Sequence, residues 1–133
     1  MSTNIEVETM LRQNKIPYTF MEDGYWRLNC GEHDIMMFHN EESEFLRFVM
    51  PLLPIPDNGR EALYRCLLEL NCTDVFCGSF AIHRESDVII YIDQIPTADL
   101  EFSEIMTTLN SFVFVIDKHL DKIREVVAQY NEA

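Results

Sequence analysis

The chain has 133 residues, of which 47% are apolar, so we expect one folded domain over residues 1–133 rather than a disordered segment. Ten Lys and Arg residues against 23 Asp and Glu residues give a formal net charge of -13. Because nucleic acid and anionic membranes are normally bound through basic patches, this charge argues against both partners and suits basic or amphipathic polypeptides.

The first third of the chain predicts a helix followed by three antiparallel strands. Residues 4–15 form the helix, with apolar side chains three or four positions apart, and Pro17 ends it. Residues 18–21 are predicted to be extended and to turn at Gly24. Alternating or apolar-rich segments then predict strands at residues 25–30, 34–38 and 44–50.

The middle of the chain predicts a connector and a second helix. Residues 51–56 contain three prolines, which predicts a stiff connector rather than a central strand. Asp57 or Asn58 is expected to cap a helix over residues 60–70. That helix has an apolar stripe, but Tyr64 and Leu68 extend its apolar surface to a second side. This second side is a candidate dimer surface.

The second half predicts two strands and a long helix. Residues 75–83 form a strand in which Gly78 indicates a bulge or a close backbone approach. Residues 88–93 are apolar on both faces, which favours a central position in the sheet. The last helix runs to about Tyr130, and Phe114 falls opposite its apolar stripe. Phe114 is thus a subunit contact, part of a peptide-binding patch, or a single exposed apolar residue of no consequence.

These elements predict an α+β fold, with an antiparallel sheet of about five strands flanked by helices in the order α-β-β-β-α-β-β-α. The first residues show no pattern of a secretory signal, and no apolar run approaches the length of a membrane span. The four cysteines form no Cys-x-x-Cys pair. We therefore expect free, reduced thiols and a cytoplasmic protein.

Candidate groups for catalysis or metal binding are better interpreted as structural or solvated residues. His33 and His39 lie at the two ends of one predicted strand, too far apart for a zinc site, and are expected at the surface. Cys66, Cys72 and Cys77 match no common ligand spacing. The chain has no nucleophile elbow and no Gly-rich phosphate loop. We expect no catalytic residue, no metal ligand and no cofactor, and hence no enzyme.

Several segments in this order resemble one known family. They are Leu53-Pro54-Ile55-Pro56 before a helix with Arg60, Leu70-Asn71 at its exit, Gly78-x-Phe80, Ile95-Pro96, and a long last helix with Asp117. Together they resemble the YbjN family, which belongs with the type III secretion chaperone-like fold. The resemblance implies a dimeric, non-catalytic protein that binds a polypeptide client and holds it in an extended form.

The resemblance also implies where the surfaces lie. The middle helix would be at or near the two-fold interface, and with Phe114 the dimer candidates are Tyr64, Leu67, Leu68 and Phe114. The candidates for peptide grooves are Trp26, Leu28, Phe45 and Phe48. The leading hypothesis is a cytoplasmic, chaperone-like homodimer. The alternative is a YbjN-like sensory or stress regulator that acts through transient protein contacts and has no secretion client.

Overall fold

Three helices and six strands follow one another in the order α-β-β-β-β-α-β-β-α in the computed structural model, which describes residues 3–75 and 77–131. Their bounds are α1 Asn4–Gln13, β1 Tyr18–Glu22, β2 Tyr25–Cys30, β3 His33–Asn40, β4 Phe45–Pro54, α2 Arg60–Thr73, β5 Ser79–His83, β6 Val88–Pro96 and α3 Phe102–Asn131. The predicted α+β class is confirmed. The count of about five strands is one too low, because the extended segment before Gly24 is itself a strand that pairs with β2.

All six strands form one sheet in the order β1-β2-β3-β4-β6-β5, and every neighbouring pair is antiparallel. β6 lies between β4 and β5, which confirms the central position predicted from its apolar residues on both faces. β1 and β5 are the edge strands. The helix α2 connects β4 to the edge strand β5, and the chain then returns through β6 to pair with β4.

The connector predicted at residues 51–56 is wrong for its first four residues, since β4 continues to Pro54. Pairing of β4 with β3 ends where Val49 meets Met36, so the prolines lie where β4 pairs with β6 alone. The register with β6 also shifts between Pro51 and Leu53. A sheet edge and a bulge are the positions where a missing amide donor costs least, which explains how the strand tolerates its prolines.

One face of the sheet packs against the helices, and we call it the helix side. Phe48 and Tyr91 contact Phe112 of α3, with ring centroids 6.3 and 4.7 Å apart. Trp26 donates its indole N–H to Glu8 Oε1 of α1 at 3.1 Å. α2 adds three buried leucines to the same core cluster: Leu63, Leu67 and Leu70. We call the opposite face of the sheet the outer face.

The start of α2 differs from the predicted cap. Gly59, and neither Asp57 nor Asn58, is the N-cap residue, and its φ of 73° lies in the left-handed region that favours glycine. A Cβ at Gly59 would overlap the ring of Tyr130 near the end of α3. The close approach of two helix ends thus selects glycine where a capping side chain was expected.

The end of α2 and the start of β5 also shift from their predicted positions. α2 runs to Thr73, so Asn71 lies inside the helix and not at its exit. Its side chain accepts from Phe80 N at 2.8 Å and donates to Phe80 O at 3.1 Å, which ties α2 to β5. The strand predicted from residue 75 begins at Ser79, and residue 76 lies outside the described residues.

The close approach predicted at Gly78 is confirmed. Its φ is 81°, and a Cβ there would lie 2.7 Å from Ile92 O and 2.9 Å from Tyr91 Cε1. No L-residue with a side chain fits this position without a shift of the β6 backbone or the Tyr91 ring.

Candidate protein-binding site

A wide groove opens on the helix side between the segment that joins α1 to β1, the β2–β3 turn and the first half of α3. It encloses about 940 Å³. We call it the α3 groove and define it by the residues that line it: Asn14, Lys15, Ile16, Pro17, Asn29, Cys30, Gly31, Phe102, Met106, Leu109, Asn110, Val113, Phe114, Asp117 and Lys118. Most of the α3 side chains in this set are apolar, and the polar ones lie toward its C-terminal half.

Phe114 forms part of the rim of the α3 groove. Its side chain is 57% exposed, as its position opposite the buried stripe predicted. Lys118 lies one helical turn further on, with Nζ 5.6 Å from the centroid of the Phe114 ring. An exposed aromatic ring beside an apolar groove is the kind of residue that anchors a bound polypeptide.

The charged rim of the α3 groove is held by a contact between distant parts of the chain. Asp117 Oδ1 lies 2.9 Å from His33 Nε2, which joins the start of β3 to the middle of α3. Lys15 and Lys118 line the same groove. The rim therefore offers both signs of charge around an apolar floor. His33, considered above as a metal ligand, instead positions this rim.

The outer side of α2 carries a second apolar surface. Leu68 is 68% exposed, and Tyr64 and Cys72 flank it along a shallow cavity of about 630 Å³. Arg65 Nε donates to Glu69 Oε1 at 2.8 Å on the same side. Of the four dimer candidates, Leu67 is 5% exposed and belongs to the core of the single chain, so it offers little surface to a partner.

The structure corrects three of the four peptide-groove candidates. Trp26, Leu28 and Phe48 are buried in the helix-side core. The alternation of polar and apolar residues put Trp26 and Leu28 on one face of their strand, but it carried no signal that the helices would cover that face. Phe45 lies on the outer face and is exposed.

His39, which was expected at the surface, is buried, and so is His119 of α3. His39 Nδ1 hydrogen-bonds Asn4 Oδ1 at 2.7 Å, and burial lowers its pKa. Burial also lowers the pKa of His119, although Asp74 Oδ2 lies 3.9 Å from its Nε2 and opposes that shift. Both rings favour the neutral form in the folded protein. Neither is paired with a nucleophile in a catalytic arrangement.

Burial makes two of the cysteine thiols among the described residues less acidic. Burial raises the pKa of Cys30, which lines the α3 groove, and that of Cys66, so both thiols favour the protonated, unreactive form. All four cysteines are free. In the part of the chain that the structure describes, no three His, Cys, Asp or Glu side chains are grouped to hold a metal ion.

Across residues 3–75 and 77–131, no helix combines the length and the apolar character that crossing a bilayer demands.

The sequence pattern indicated that Phe114 lies off the core stripe, but it did not predict the α3 groove. Its walls come from residues 14–17, 29–31 and 102–118, which are far apart in the chain, and no local pattern links them. A partial signal was present on α3, where Val113 adds an apolar side chain next to the core stripe and Phe114 adds one on the opposite side. A helix whose apolar surface is wider than one stripe has a second face to cover.

The fold and sequence are similar to those of secretion chaperones. The CesT_Tir_1 family model, of a type III secretion chaperone family, matches residues 8–129. A chain of the HopA1–SchA chaperone–effector complex superimposes with a TM-score of 0.61 at 14% identity, covering 94% of this chain and 95% of that chain. A chain of the ExoU–SpcU complex from the type III secretion system of Pseudomonas aeruginosa gives 0.59 at 15% identity, covering 96% and 99%.

The resemblance to YbjN also has a structural counterpart. YbjN from E. coli superimposes with a TM-score of 0.55 at 9% identity, covering 96% of this chain and 90% of that chain. No curated protein sequence matches the chain. Since the family model spans residues 8–129 of 133, the protein belongs to the CesT_Tir_1 family of type III secretion chaperones.

Proposed function

We propose that the protein is a non-catalytic, cytoplasmic chaperone that binds a segment of a client polypeptide in the α3 groove and acts as a homodimer. The observation that carries the proposal is the groove itself, which encloses about 940 Å³ and has Phe114 exposed at its rim. Apolar grooves of this kind bind amphipathic segments through a few anchoring side chains. Membership of the CesT_Tir_1 family supports the same function.

The chemistry of the groove indicates the class of client. Its apolar floor favours a segment with Leu, Ile, Met or Phe side chains, and Lys118 and Asp117 at the rim can pair with either charge. The net charge of -13 attracts a basic or amphipathic chain over a longer range. HopA1–SchA is a chaperone–effector complex, and we propose an effector segment as the client here too.

The outer side of α2 supports a homodimer. Leu68 and Tyr64 present apolar surface that the single chain does not cover, and a two-fold axis near Leu68 would pair this surface with itself. Burying this surface in a dimer would remove the exposed side chain of Leu68 from water. A YbjN-like regulator without a secretion client has weaker support, because the family model that matches is that of the chaperones.

Client binding is tested by purifying the tagged protein from its native host and identifying the polypeptides that accompany it by mass spectrometry. We expect one partner to accompany the wild type at a fixed ratio and to be lost from Phe114→Glu. Ile5→Glu is the matched control, since Ile5 is an exposed apolar residue of α1 outside the groove. A partner retained equally by both variants would show that the groove is the wrong site. Recovery of no partner by the wild type would contradict the chaperone function.

The homodimer is tested by light scattering. We expect the wild type to give twice the 15.7 kDa of one chain and Leu68→Glu to give one chain. Arg124→Glu, an exposed change on α3, should remain dimeric. A wild-type mass of one chain would contradict the proposal.

A further inference from the structure

The outer face is a second concave surface, separate from the α3 groove. Two adjoining cavities of about 460 and 370 Å³ lie on it and share Phe38 and Arg47 in their walls. The first is lined by strand residues together with Ser86 of the β5–β6 turn. None of its lining residues comes from a helix, so this face is open where the helix side is covered.

The centre of the outer face is apolar. Val49 pairs with Met36 on one side and Ile92 on the other, and Ile90 pairs with Ala81. Val49 is 8% exposed and Ile90 5%, yet neither belongs to the helix-side core cluster. Their neighbours on the same face shield them. An apolar sheet face of this kind is normally covered by a helix or by a second sheet.

Arginines lie among these apolar residues. Cross-strand register places Arg27 beside Met36 and Arg47 beside Phe38. Both side chains are exposed, and within the described residues no carboxylate lies within ion-pair distance of either, although the chain has 23 acidic residues. Asp34 is the nearest outer-face carboxylate in register with β2, and it accepts from Asn29 Nδ2 at 3.3 Å.

Glu22 and Asp23 line the far end of the second cavity, beyond Arg47. The middle of the outer face is therefore positive and apolar, while its ends and the molecule as a whole are acidic. A second copy fits this face poorly, because a two-fold contact would bring the arginines of both copies together.

We propose that the outer face docks an acidic amphipathic helix from another protein, with apolar side chains over Val49 and Ile90 and carboxylates paired with Arg27 and Arg47. A helix fits the width of an uncovered sheet, and Arg binds a carboxylate with two parallel hydrogen bonds. This site is on the opposite face of the sheet from the α3 groove. It is occupied independently of the client, and it does not depend on the proposed chaperone function.

The test uses two synthetic peptides that carry leucines three or four residues apart, one with glutamates at the flanking positions and the other with lysines there. Binding is measured by fluorescence anisotropy at about 0.15 M salt. This salt concentration screens the long-range repulsion between the glutamate peptide and the acidic protein. We expect the glutamate peptide to bind the wild type about tenfold or more tightly than it binds Arg47→Glu, because that change replaces an attractive charge with a repulsive one.

Arg47→Lys should retain most of the affinity, since the charge is kept. Arg124→Glu changes the net charge by the same amount on α3 and should bind the glutamate peptide within about twofold of the wild type. Phe114→Glu should also leave it unchanged, which separates this site from the α3 groove. Thermal unfolding of each variant shows whether the fold is retained.

Equal binding of the glutamate peptide to wild type, Arg47→Glu and Arg124→Glu would overturn the proposal. So would tighter binding of the lysine peptide than of the glutamate peptide to Phe114→Glu, in which the α3 groove is disrupted. If Arg47→Glu instead changed the mass measured by light scattering, the outer face would be a contact between copies of this chain, and the proposed partner would be wrong.

Discussion

The helix side and the outer face are built from alternate residues of the same strands, yet they differ in what covers them. On the helix side, Phe48 and Tyr91 pack against Phe112 of α3. On the outer face, Val49 and Ile90 are nearly as buried, but only by their neighbours in the sheet. The apolar content of a sheet face therefore does not by itself show whether that face belongs to the core.

The reason for the difference is the path of the chain. The strands of each hairpin are joined by tight turns, and the helices precede β1, connect β4 to β5 and follow β6. Each of these three helices packs on the same face. The outer face is left with arginines at Arg27 and Arg47, which would be costly to bury without partners.

The largest expected effect compares the same substitution on the two faces. Phe112→Ala should lower the free energy of unfolding by about 3–5 kcal/mol, because it leaves a cavity between the two helix-side rings. Phe38→Ala on the outer face should cost about 1–2 kcal/mol, since it removes mainly the stack on Tyr25 with a centroid distance of 4.4 Å. Urea unfolding monitored by circular dichroism measures both. Equal losses would mean that the faces do not differ in packing.

A smaller effect is expected where α2 is tied to the edge of the sheet. Asn71→Ala removes both hydrogen bonds to Phe80 and should cost about 2 kcal/mol, because the Phe80 backbone groups are left without these partners. Asn14→Ala is the matched control, since its exposed side chain bonds only Met10 O in its own helix, at 2.8 Å. We expect it to cost about 0.5 kcal/mol or less. Similar losses in the two variants would argue against a structural role for the Asn71 contact.

The pH dependence of stability should also reflect the burial of two histidines, His39 and His119. Burial lowers the pKa of His39 and His119 below 6.5. Just below pH 6.5, these two side chains therefore bind more protons in the unfolded chain than in the folded chain. Their contribution to stability is present above 6.5 and is lost as the pH falls toward the lowered values. Charged groups near them are Glu41 for His39, and Asp74, Lys118 and Lys122 for His119.

Urea midpoints between about pH 7 and pH 5 measure this loss. His119→Gln, whose side chain does not titrate, should make the midpoint fall less over that range. His83→Gln, a change at an exposed histidine of the β5–β6 hairpin, is the matched control for the effect of a His-to-Gln substitution. A His119→Gln profile as steep as that of the wild type would contradict the assignment.

The smallest effect on stability is expected at the rim of the α3 groove. Phe114→Ser should change the free energy of unfolding by no more than about 0.5 kcal/mol, because the ring is 57% exposed. It lies two residues from Phe112, so the pair compares a core ring and a surface ring on one helix. The same variant should lose the client polypeptide in co-purification. A large loss of stability would mean that Phe114 serves the fold rather than binding.

Much of the fold was predictable because it depends on local patterns. The period of the helices and the alternation of the strands identified α1, α2, α3 and five of the six strands, with shifts at their ends. The first strand was predicted only as extended, since its partner determines that it is a strand. The prolines of β4 misled the prediction, because proline is disfavoured in a strand that is paired on both sides but is tolerated at a bulge or where the strand is paired on one side only.

The binding surfaces were less predictable. Phe114 was identified because one aromatic residue off the core stripe is visible in a helical pattern. Trp26, Leu28 and Phe48 were assigned to a groove, whereas the helices bury them. Ile35-Met36-Met37-Phe38 is apolar at successive positions, which indicated that both faces of β3 carry apolar surface. That signal pointed toward the outer face.

By itself, the sequence determined the order of the elements, the residues that share a face of each element, and the acidic charge, because these follow from side-chain type and spacing. The tertiary structure alone decided which face of the sheet is covered, where the α3 groove opens, and why Gly59 replaces a capping side chain beside Tyr130. The physical reason is that burial and cavities arise where segments distant in the chain meet. The period of a local pattern specifies which way each side chain points from its helix or strand. It carries no information about which other segment of the chain packs against that side chain.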